Sequence, residues 1–197
     1  GTFDWSIFWL VLLGAIFAQC GTNTINDYFD HKSRTDELNK LASPFNGGSR
    51  AIQSGLMTPA NMLLVSVLFF GSTIGIGLEL NNLLFGDYFA ISVLMYLGLI
   101  GVFLGVMYTG FLKLAYNGLG DLAVFIGFGP LMVYGAAYMQ NQSVDPLTTL
   151  LFSIPVGIFI ALVLFINCFQ DYNADKAANK NSWVVRLAGP GDKANYR

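Results

Sequence analysis

Five apolar stretches, at 3–26, 57–78, 88–109, 118–139 and 146–169, each come close to the ~20 residues that an α-helix needs to cross the hydrocarbon of a bilayer. No other feature of the chain constrains its fold as tightly. Inside a bilayer every backbone N–H and C=O must be paired within the protein, so stretches of this length fold as helices. They are far too long for the strands of a membrane barrel, which need only about 10 residues each. Charged residues make up 11% of the chain and hydrophobic ones 54%, where a soluble domain carries about 25% charged residues. The expectation is an all-α, polytopic membrane bundle of five transmembrane helices with polar cap loops.

Charge placement orients the bundle. Successive spans alternate direction, so the first, third and fifth helices end on one face. Lys32, Arg34, Lys40, Arg50, Lys113, Lys176, Lys180, Arg186, Lys193 and Arg197 are all ten cationic residues, and all fall on that face. The opposite loops, near 80–87 and 140–145, contain none. The positive-inside rule makes the cationic face cytoplasmic, as in a multi-pass protein of the cell inner membrane. A missed or invented span would scatter the cations between sides. The connections at 27–56, at 108–121 and from 171 onward are the polar ones, so ligand chemistry is expected where they cap the bundle. The net charge of −2 gives no reason to expect a nucleic-acid partner. Cys20 and Cys168 sit in apolar runs and read as buried thiols, not as a disulfide framework. The chain begins at Gly1, almost directly in a span, and ends in the polar stretch Gly189-Pro190-Gly191-Asp192-Lys193. Residues 1–197 read as one domain, part of a longer membrane protein.

Two acid-rich segments lie on the cationic face: Asn23-Thr24-Ile25-Asn26-Asp27-Tyr28-Phe29-Asp30, and Asn167-Cys168-Phe169-Gln170-Asp171-Tyr172-Asn173-Ala174-Asp175. Asn23, Asp27 and Asp30 are spaced i, i+4, i+7. Asn167, Asp171 and Asp175 are spaced i, i+4, i+8. Helical geometry puts each set on one helix face. Carboxylates at the edge of an apolar span are costly unless a cation uses them. Mg²⁺ takes one or two carboxylates, keeps several waters and binds phosphate oxygens. Asp27, Asp30, Asp171 and Asp175 thus supply enough ligands for a pair of ions. Asn23, Asn26 and Asn167 can add a neutral oxygen or orient a carboxylate. Arg50, in the Gly/Ser-rich run Gly47-Gly48-Ser49-Arg50, can neutralise phosphate charge together with Lys113 and Lys180.

Other residues carry weaker signals. Asp36 can complete the metal site but reads more readily as a solvated loop acid, and His31 reads as a surface residue rather than a ligand. Asp121 opens the fourth helix, either as an ordinary N-terminal acid or as a contact to a polar substrate. Tyr108, Tyr116, Phe125, Phe128, Tyr134, Tyr138, Phe165 and Phe169 can line a cavity, although packing or lipid contact is the commoner role for any one of them. The glycine pairs Gly71/Gly75 and Gly101/Gly105 match the small-xxx-small pattern of close helix packing.

These motifs resemble those of the UbiA-type intramembrane prenyltransferase superfamily. Its members carry an Asn/Asp-rich motif after an early helix and an Asp-xxx-Asp motif four helices later. The basic loop Gly48-Ser49-Arg50-Ala51-Ile52-Gln53-Ser54-Gly55 is similar to the family's own. Tyr108-Thr109-Gly110, followed by Tyr116-Asn117-Gly118-Leu119-Gly120-Asp121, resembles one branch, the 1,4-dihydroxy-2-naphthoate polyprenyltransferases of menaquinone biosynthesis. Three local departures stand out. The branch usually has Gly at or beside Arg34 and Pro at Phe111. It usually reads Gly-Lys-Arg-Thr where this chain has Asn179-Lys180-Asn181-Ser182.

The resemblance implies nine helices around a central cavity with a cytosolic cap, of which this chain would hold the second to the sixth. It implies Mg²⁺ at Asp27, Asp30, Asp171 and Asp175 as the catalytic centre. It also implies substrate contacts from Arg50, Lys113, Tyr116, Asp121 and Lys180, and transfer of a polyprenyl group from its diphosphate to an aromatic acceptor. Within the branch the acceptor is 1,4-dihydroxy-2-naphthoate and the product a demethylmenaquinone. Elsewhere in the superfamily the acceptor is 4-hydroxybenzoate, homogentisate or a glyceryl lipid. A cation transporter is the alternative of a different class. It is disfavoured because the acids stand at helix ends and none lies deep in a span.

The topology is testable with single cysteines in a background lacking Cys20 and Cys168. Arg50→Cys and Lys113→Cys should resist a membrane-impermeant thiol reagent in intact cells, and Asn82→Cys should react. The reverse pattern would invert the orientation.

Overall fold

The structure, a computed structural model, describes residues 3–38 and 48–188. Lys40, Gly47, Lys193, Arg197 and the polar stretch 189–193 lie outside them. Among the described residues the fold is all-α, as the apolar segments require. The helices are α1 (Trp5–Lys32), α2 (Thr35–Leu38), α3 (Pro59–Phe85), α4 (Val93–Met107), α5 (Gly120–Ile126), α6 (Met132–Gln140), α7 (Pro146–Ala177) and α8 (Trp183–Leu187). A π-helical turn, Gly127–Leu131, joins α5 to α6 around Pro130. Proline has no N–H to give to the turn before it, and the wider turn accommodates that loss.

Four helices are long and apolar enough to cross a membrane: Trp5–Lys32, Pro59–Phe85, Gly120–Gln140 and Pro146–Gln170. The third expected span, 88–109, is shorter than its apolar run suggests. Its helix is Val93–Met107, 15 residues, or roughly 22 Å at 1.5 Å per residue. Asn81 accounts for the missing turn. Its buried amide donates to the carbonyls of Asp87, Tyr88 and Ala90 at 3.1, 3.0 and 3.0 Å. Its Oδ1 accepts from the Ser92 hydroxyl at 2.6 Å, and the Ser92 Oγ caps α4 by accepting from the Met95 N–H. Residues 87–90 are therefore held as a loop by one polar side chain inside an apolar neighbourhood.

The helices alternate in direction. At one end of the bundle, the Asp4 N–H donates to Gln140 Oε1 and the Gln140 amide returns to the Asp4 carbonyl, both at 2.9 Å. At the other end the polar loops after α1, α4 and α7 meet. α1 packs chiefly on α3, where the buried Ser66 hydroxyl donates to the Gly21 carbonyl at 3.0 Å. Large apolar side chains such as Leu68, Leu99 and Phe152 point outward, while Ser66, Asn81, Thr109, Ser153 and Asp175 are the most fully enclosed polar groups. That pattern is natural when the solvent is hydrocarbon, which removes the incentive to bury leucine and raises the cost of exposing polar atoms.

The expected glycine contacts are corrected. A Cβ at Gly71, Gly75 or Gly101 would meet nothing within 4 Å. Of those four glycines only Gly105 lies close to a neighbour, where a Cβ would stand 2.6 Å from Thr22 Oγ1. Tight backbone approaches between elements occur instead where α5 and the π turn meet α7. There a Cβ on Gly129 would stand 2.9 Å from the Ser153 carbonyl oxygen, and one on Gly157 would stand 2.7 Å from the Phe125 carbonyl oxygen.

Asn81→Leu should lower stability by about 1–2 kcal/mol, because it removes the partner of the buried Ser92 hydroxyl and of three loop carbonyls. Thermal unfolding in detergent, followed by circular dichroism, measures this. Asn82→Leu, one position outside the network, should cost much less.

Candidate active site

The first acidic motif ends α1. Asp27, Asp30 and the following Asp36 are all buried. The chain turns sharply after α1 through Arg34, whose φ of 63° is left-handed. This is where the resembling branch has glycine, the residue that adopts such a backbone most freely. The turn brings Thr35 and Asp36 back against the helix end. A second strained loop then closes over the acids. Gly48 has φ of 85°, and a Cβ there would lie 3.2 Å from Asp36 Oδ1 and 3.4 Å from Asp27 Oδ1. Ser49 gives both its N–H and its hydroxyl to the Asp27 carboxylate, and Gln53 donates to Asp36 Oδ2 at 3.0 Å. Arg50, with φ of 54°, follows directly, so the basic loop does stand over the first motif.

Asp175, from the second motif, is 1% exposed. Lys180 links the motifs: its ammonium stands 3.9 Å from Asp30 Oδ2 and 3.7 Å from Asp175 Oδ1. Tyr116 completes the link. Its hydroxyl donates to Asp30 Oδ1 at 2.7 Å and lies 2.6 Å from Ser33 Oγ and 2.9 Å from Thr35 Oγ1. The ammonium groups of Lys113 and Lys180 stand 5.6 and 5.5 Å from its ring centroid, within cation–π range. The loop that positions Lys180 keeps its geometry despite its altered residues. Asn179, where the branch has glycine, adopts the left-handed φ of 55° that asparagine tolerates, and the Lys180 N–H closes the turn on the Asp175 carbonyl at 2.8 Å.

The electrostatics follow from this crowding. Burial pushes the Asp36 carboxyl up to about 7, helped by Asp30 and Asp27 nearby. Burial likewise raises Asp175 to about 6; Lys180 opposes the rise and Asp171 and Asp30 add to it. Burial alone would lower the Lys180 ammonium, but the facing Asp30 and Asp175 carboxylates outweigh it and hold the group charged. Burial, with Asp30 adjacent, raises the Tyr116 phenol to about 12, so it stays protonated and donates.

The remaining expected residues occupy varied positions. Asp171 is half-buried one turn before Asp175, and Asn167 is half-buried one turn earlier. Asn23 is exposed and accepts from Gln19, whereas Asn26 has a buried Oδ1 without a hydrogen-bond partner. Lys113 is exposed. Asp121 is half-buried at the start of α5, and its Oδ1 has no partner. Two expectations are corrected. Asp36 is not solvated but enclosed, and His31 is half-buried, not at the surface. The sequence reading also gave no role to Ser33, Thr35, Ser49 or Gln53, hydroxyl and amide residues whose part depends on long-range folding. Ser49 was detectable as the neighbour of Arg50 in a glycine-rich loop.

Residues of α1, α3, α4, α5, the π turn and α6 line an open-sided apolar cavity of about 290 Å³, with Tyr108, Gln19 and Thr22 among them. Of the aromatics proposed from sequence, only Tyr108 and Phe128 line it. Its other walls are mostly aliphatic and glycine.

A family model for UbiA prenyltransferases matches residues 1–197. The chain belongs to the UbiA prenyltransferase family. Among its relatives is the 1,4-dihydroxy-2-naphthoate octaprenyltransferase of Haemophilus influenzae, 34% identical over 90% of this chain and 56% of the relative. The Escherichia coli protein of the same name is 30% identical over 95% of this chain and 59% of its own length. The 2-carboxy-1,4-naphthoquinone phytyltransferase of Synechocystis is 34% identical over 95% and 56%. The chain thus spans a little over half the length of these relatives. No solved structure matches. The family match groups the chain with membrane prenyltransferases, and none of these relatives is named as a transporter.

Asp36 offers a stability test. Its folded pKa lies above the ordinary 3.8, so the folded state holds a proton that the unfolded chain releases. Its contribution therefore turns unfavourable as pH rises from about 4 through about 7. Asp36→Asn should raise the Tm of ligand-free protein most at about pH 8, where the penalty is complete, and clearly less at about pH 5, where only the unfolded chain has ionised and the penalty has just begun. Differential scanning fluorimetry at the two pH values reads the difference.

Proposed function

We propose that the complete protein transfers a polyprenyl group from its diphosphate to 1,4-dihydroxy-2-naphthoate, releasing CO₂ and diphosphate and giving a demethylmenaquinol, the hydroquinone form of a demethylmenaquinone. The observation that carries this reading is the joining of the two acidic motifs by Lys180 and Tyr116 at one end of a bundle that also holds an apolar cavity. A charged diphosphate head and a hydrocarbon tail call for both environments. The relatives' names support the naphthoate. 4-Hydroxybenzoate, homogentisate or a glyceryl lipid is the acceptor that would stand in its place.

The residues present fit Mg²⁺. Asp27, Asp30, Asp171 and Asp175 are the proposed ligands, with Asp36 beside them. Asp175 Oδ2 is buried without a hydrogen-bond partner, and burial first, with neighbouring carboxylates adding to it, raises Asp36 and Asp175. Among the described residues, no three acids, histidines or cysteines converge to enclose an ion alone. That suits Mg²⁺, which completes its shell with water and phosphate oxygens. When bound, the ion would neutralise the departing diphosphate.

The chain's own groups do the rest. Arg50, Lys113 and Lys180 attract the phosphates, with Arg50 able to bind two oxygens at once. Asn23, Asn26 and Asn167 orient the carboxylates. The protonated Tyr116 fixes Asp30. The cavity keeps water from the allylic carbon once its C–O bond to diphosphate breaks. Asp121, with its free oxygen at the head of α5, orients the acceptor. The carboxylate-bearing ring carbon forms the new C–C bond, and its C–C bond to the carboxylate then breaks, returning the electron pair to the ring as CO₂ leaves. We place the protein in the cell inner membrane with the acidic end facing the cytoplasm.

Full-length enzyme given a polyprenyl diphosphate, Mg²⁺ and carboxyl-labelled naphthoate should release one CO₂ per prenylated product. Asp27→Ala or Asp171→Ala should lower that rate on the order of 10²-fold or more, the loss typical of removing a main electrostatic stabiliser. Prenylation of 4-hydroxybenzoate alone, with its carboxylate retained, would move the acceptor and leave the diphosphate site standing.

A further inference from the structure

Arg186 has no part in the chemistry above, yet it ties together the two loops that carry it. It lies on α8, five residues long, anchored by the buried Val184. Its Nη2 donates to the Asn117 carbonyl at 2.6 Å, and its Nε donates to the Asn181 carbonyl at 3.1 Å. Asn117 directly follows Tyr116, and Asn181 directly follows Lys180. A backbone bond closes the same square: the Asn181 N–H donates to the Tyr116 carbonyl at 2.9 Å. The loop in between is shaped for the guanidinium. Gly118 has φ of 70°, and a Cβ there would stand 2.6 Å from the guanidinium carbon. A planar fork can serve two carbonyls at once, whereas an ammonium is a single point charge.

We propose that Arg186 is a positioning residue for the diphosphate site, acting through Tyr116 and Lys180. Those two residues come from loops on either side of the α5–α6–α7 part of the chain, and only their mutual spacing lets one ammonium face Asp30 and Asp175 while the phenol also holds Asp30. Arg186 sets that spacing from behind, touching neither a carboxylate nor any atom that would react. The assignment rests on the diphosphate reading given above.

The test uses the full-length enzyme in detergent, with Mg²⁺ and inorganic pyrophosphate titrated by calorimetry, and with KM measured for donor and acceptor separately. Arg186→Gln should weaken pyrophosphate on the order of 10-fold, as loss of a group that orients a ligand-binding side chain does. It should raise the donor KM and leave the acceptor KM unchanged. Arg186→Lys should not restore binding. Gly118→Ala should produce the same loss by displacing the guanidinium, and it carries the test if Arg186→Gln fails to fold. Because both changes break one contact, the double variant should be no weaker than the weaker single variant. Pyrophosphate binding kept in Arg186→Gln, with only a lower Tm, would overturn the assignment, as would losses that multiply in the double variant. Wild-type enzyme that binds no pyrophosphate would instead overturn the diphosphate reading, and this assignment with it.

Discussion

Carboxylates from three parts of the chain, Asp27 and Asp30 on α1, Asp36 on α2 and Asp175 on α7, are held out of water at one end of an apolar bundle. An ion taken out of water costs several kcal/mol, roughly, even after the protein relaxes around it. The architecture of that end answers this cost. Lys180 reaches between the motifs, Tyr116 donates to Asp30, Ser49 covers Asp27, and Gln53 covers Asp36. Each of these groups comes from a loop that the helical bundle would not otherwise need to bring inward. The cap is folded around its acids, so its stability and its electrostatics are two aspects of one charge arrangement.

Backbone conformation serves the same end. Arg34, Arg50, Lys113 and Asn179 all have positive φ, a region that costs non-glycine residues energy and concentrates at functional sites. Each lies at or beside a group in the acidic cluster. Where the resembling branch uses glycine, this chain uses Arg34 and Asn179 and keeps the turns. The lysine that follows Asn179 consequently still reaches both motifs.

Much of this was legible from the residues. The helical spans follow from apolar length, and the pairing of the two acidic motifs follows from counting the spans between them. Their i, i+4 spacing points to Asp27, Asp30 and Asp175, which the fold buries at one end of the bundle. What the sequence does not display is burial created by distant contacts. Asp36 looks like any loop acid until Gly48 and Gln53 close over it. Asn81 looks like a helix-end residue, yet it shortens the next helix by holding 87–90 as a loop. The glycine pairs misled for a related reason. The small-xxx-small spacing records an opportunity for close packing, but Gly71, Gly75 and Gly101 face open space, while the true close approach at Gly129 and Gly157 follows from a π turn around Pro130 that periodicity does not reveal.

The open glycines have a consequence of their own. Gly77, Gly98, Gly101 and Gly127 line the apolar cavity, and a side chain at any of them would meet no neighbouring atom within 4 Å. Methyl groups can therefore be added to the cavity wall one at a time without disturbing a helix contact. Every residue of the acidic cluster, by contrast, is tied to another. The two halves of the molecule thus differ in evolvability: the charged end tolerates little drift, whereas the length and width of the apolar cavity can be retuned by single substitutions on an unchanged scaffold.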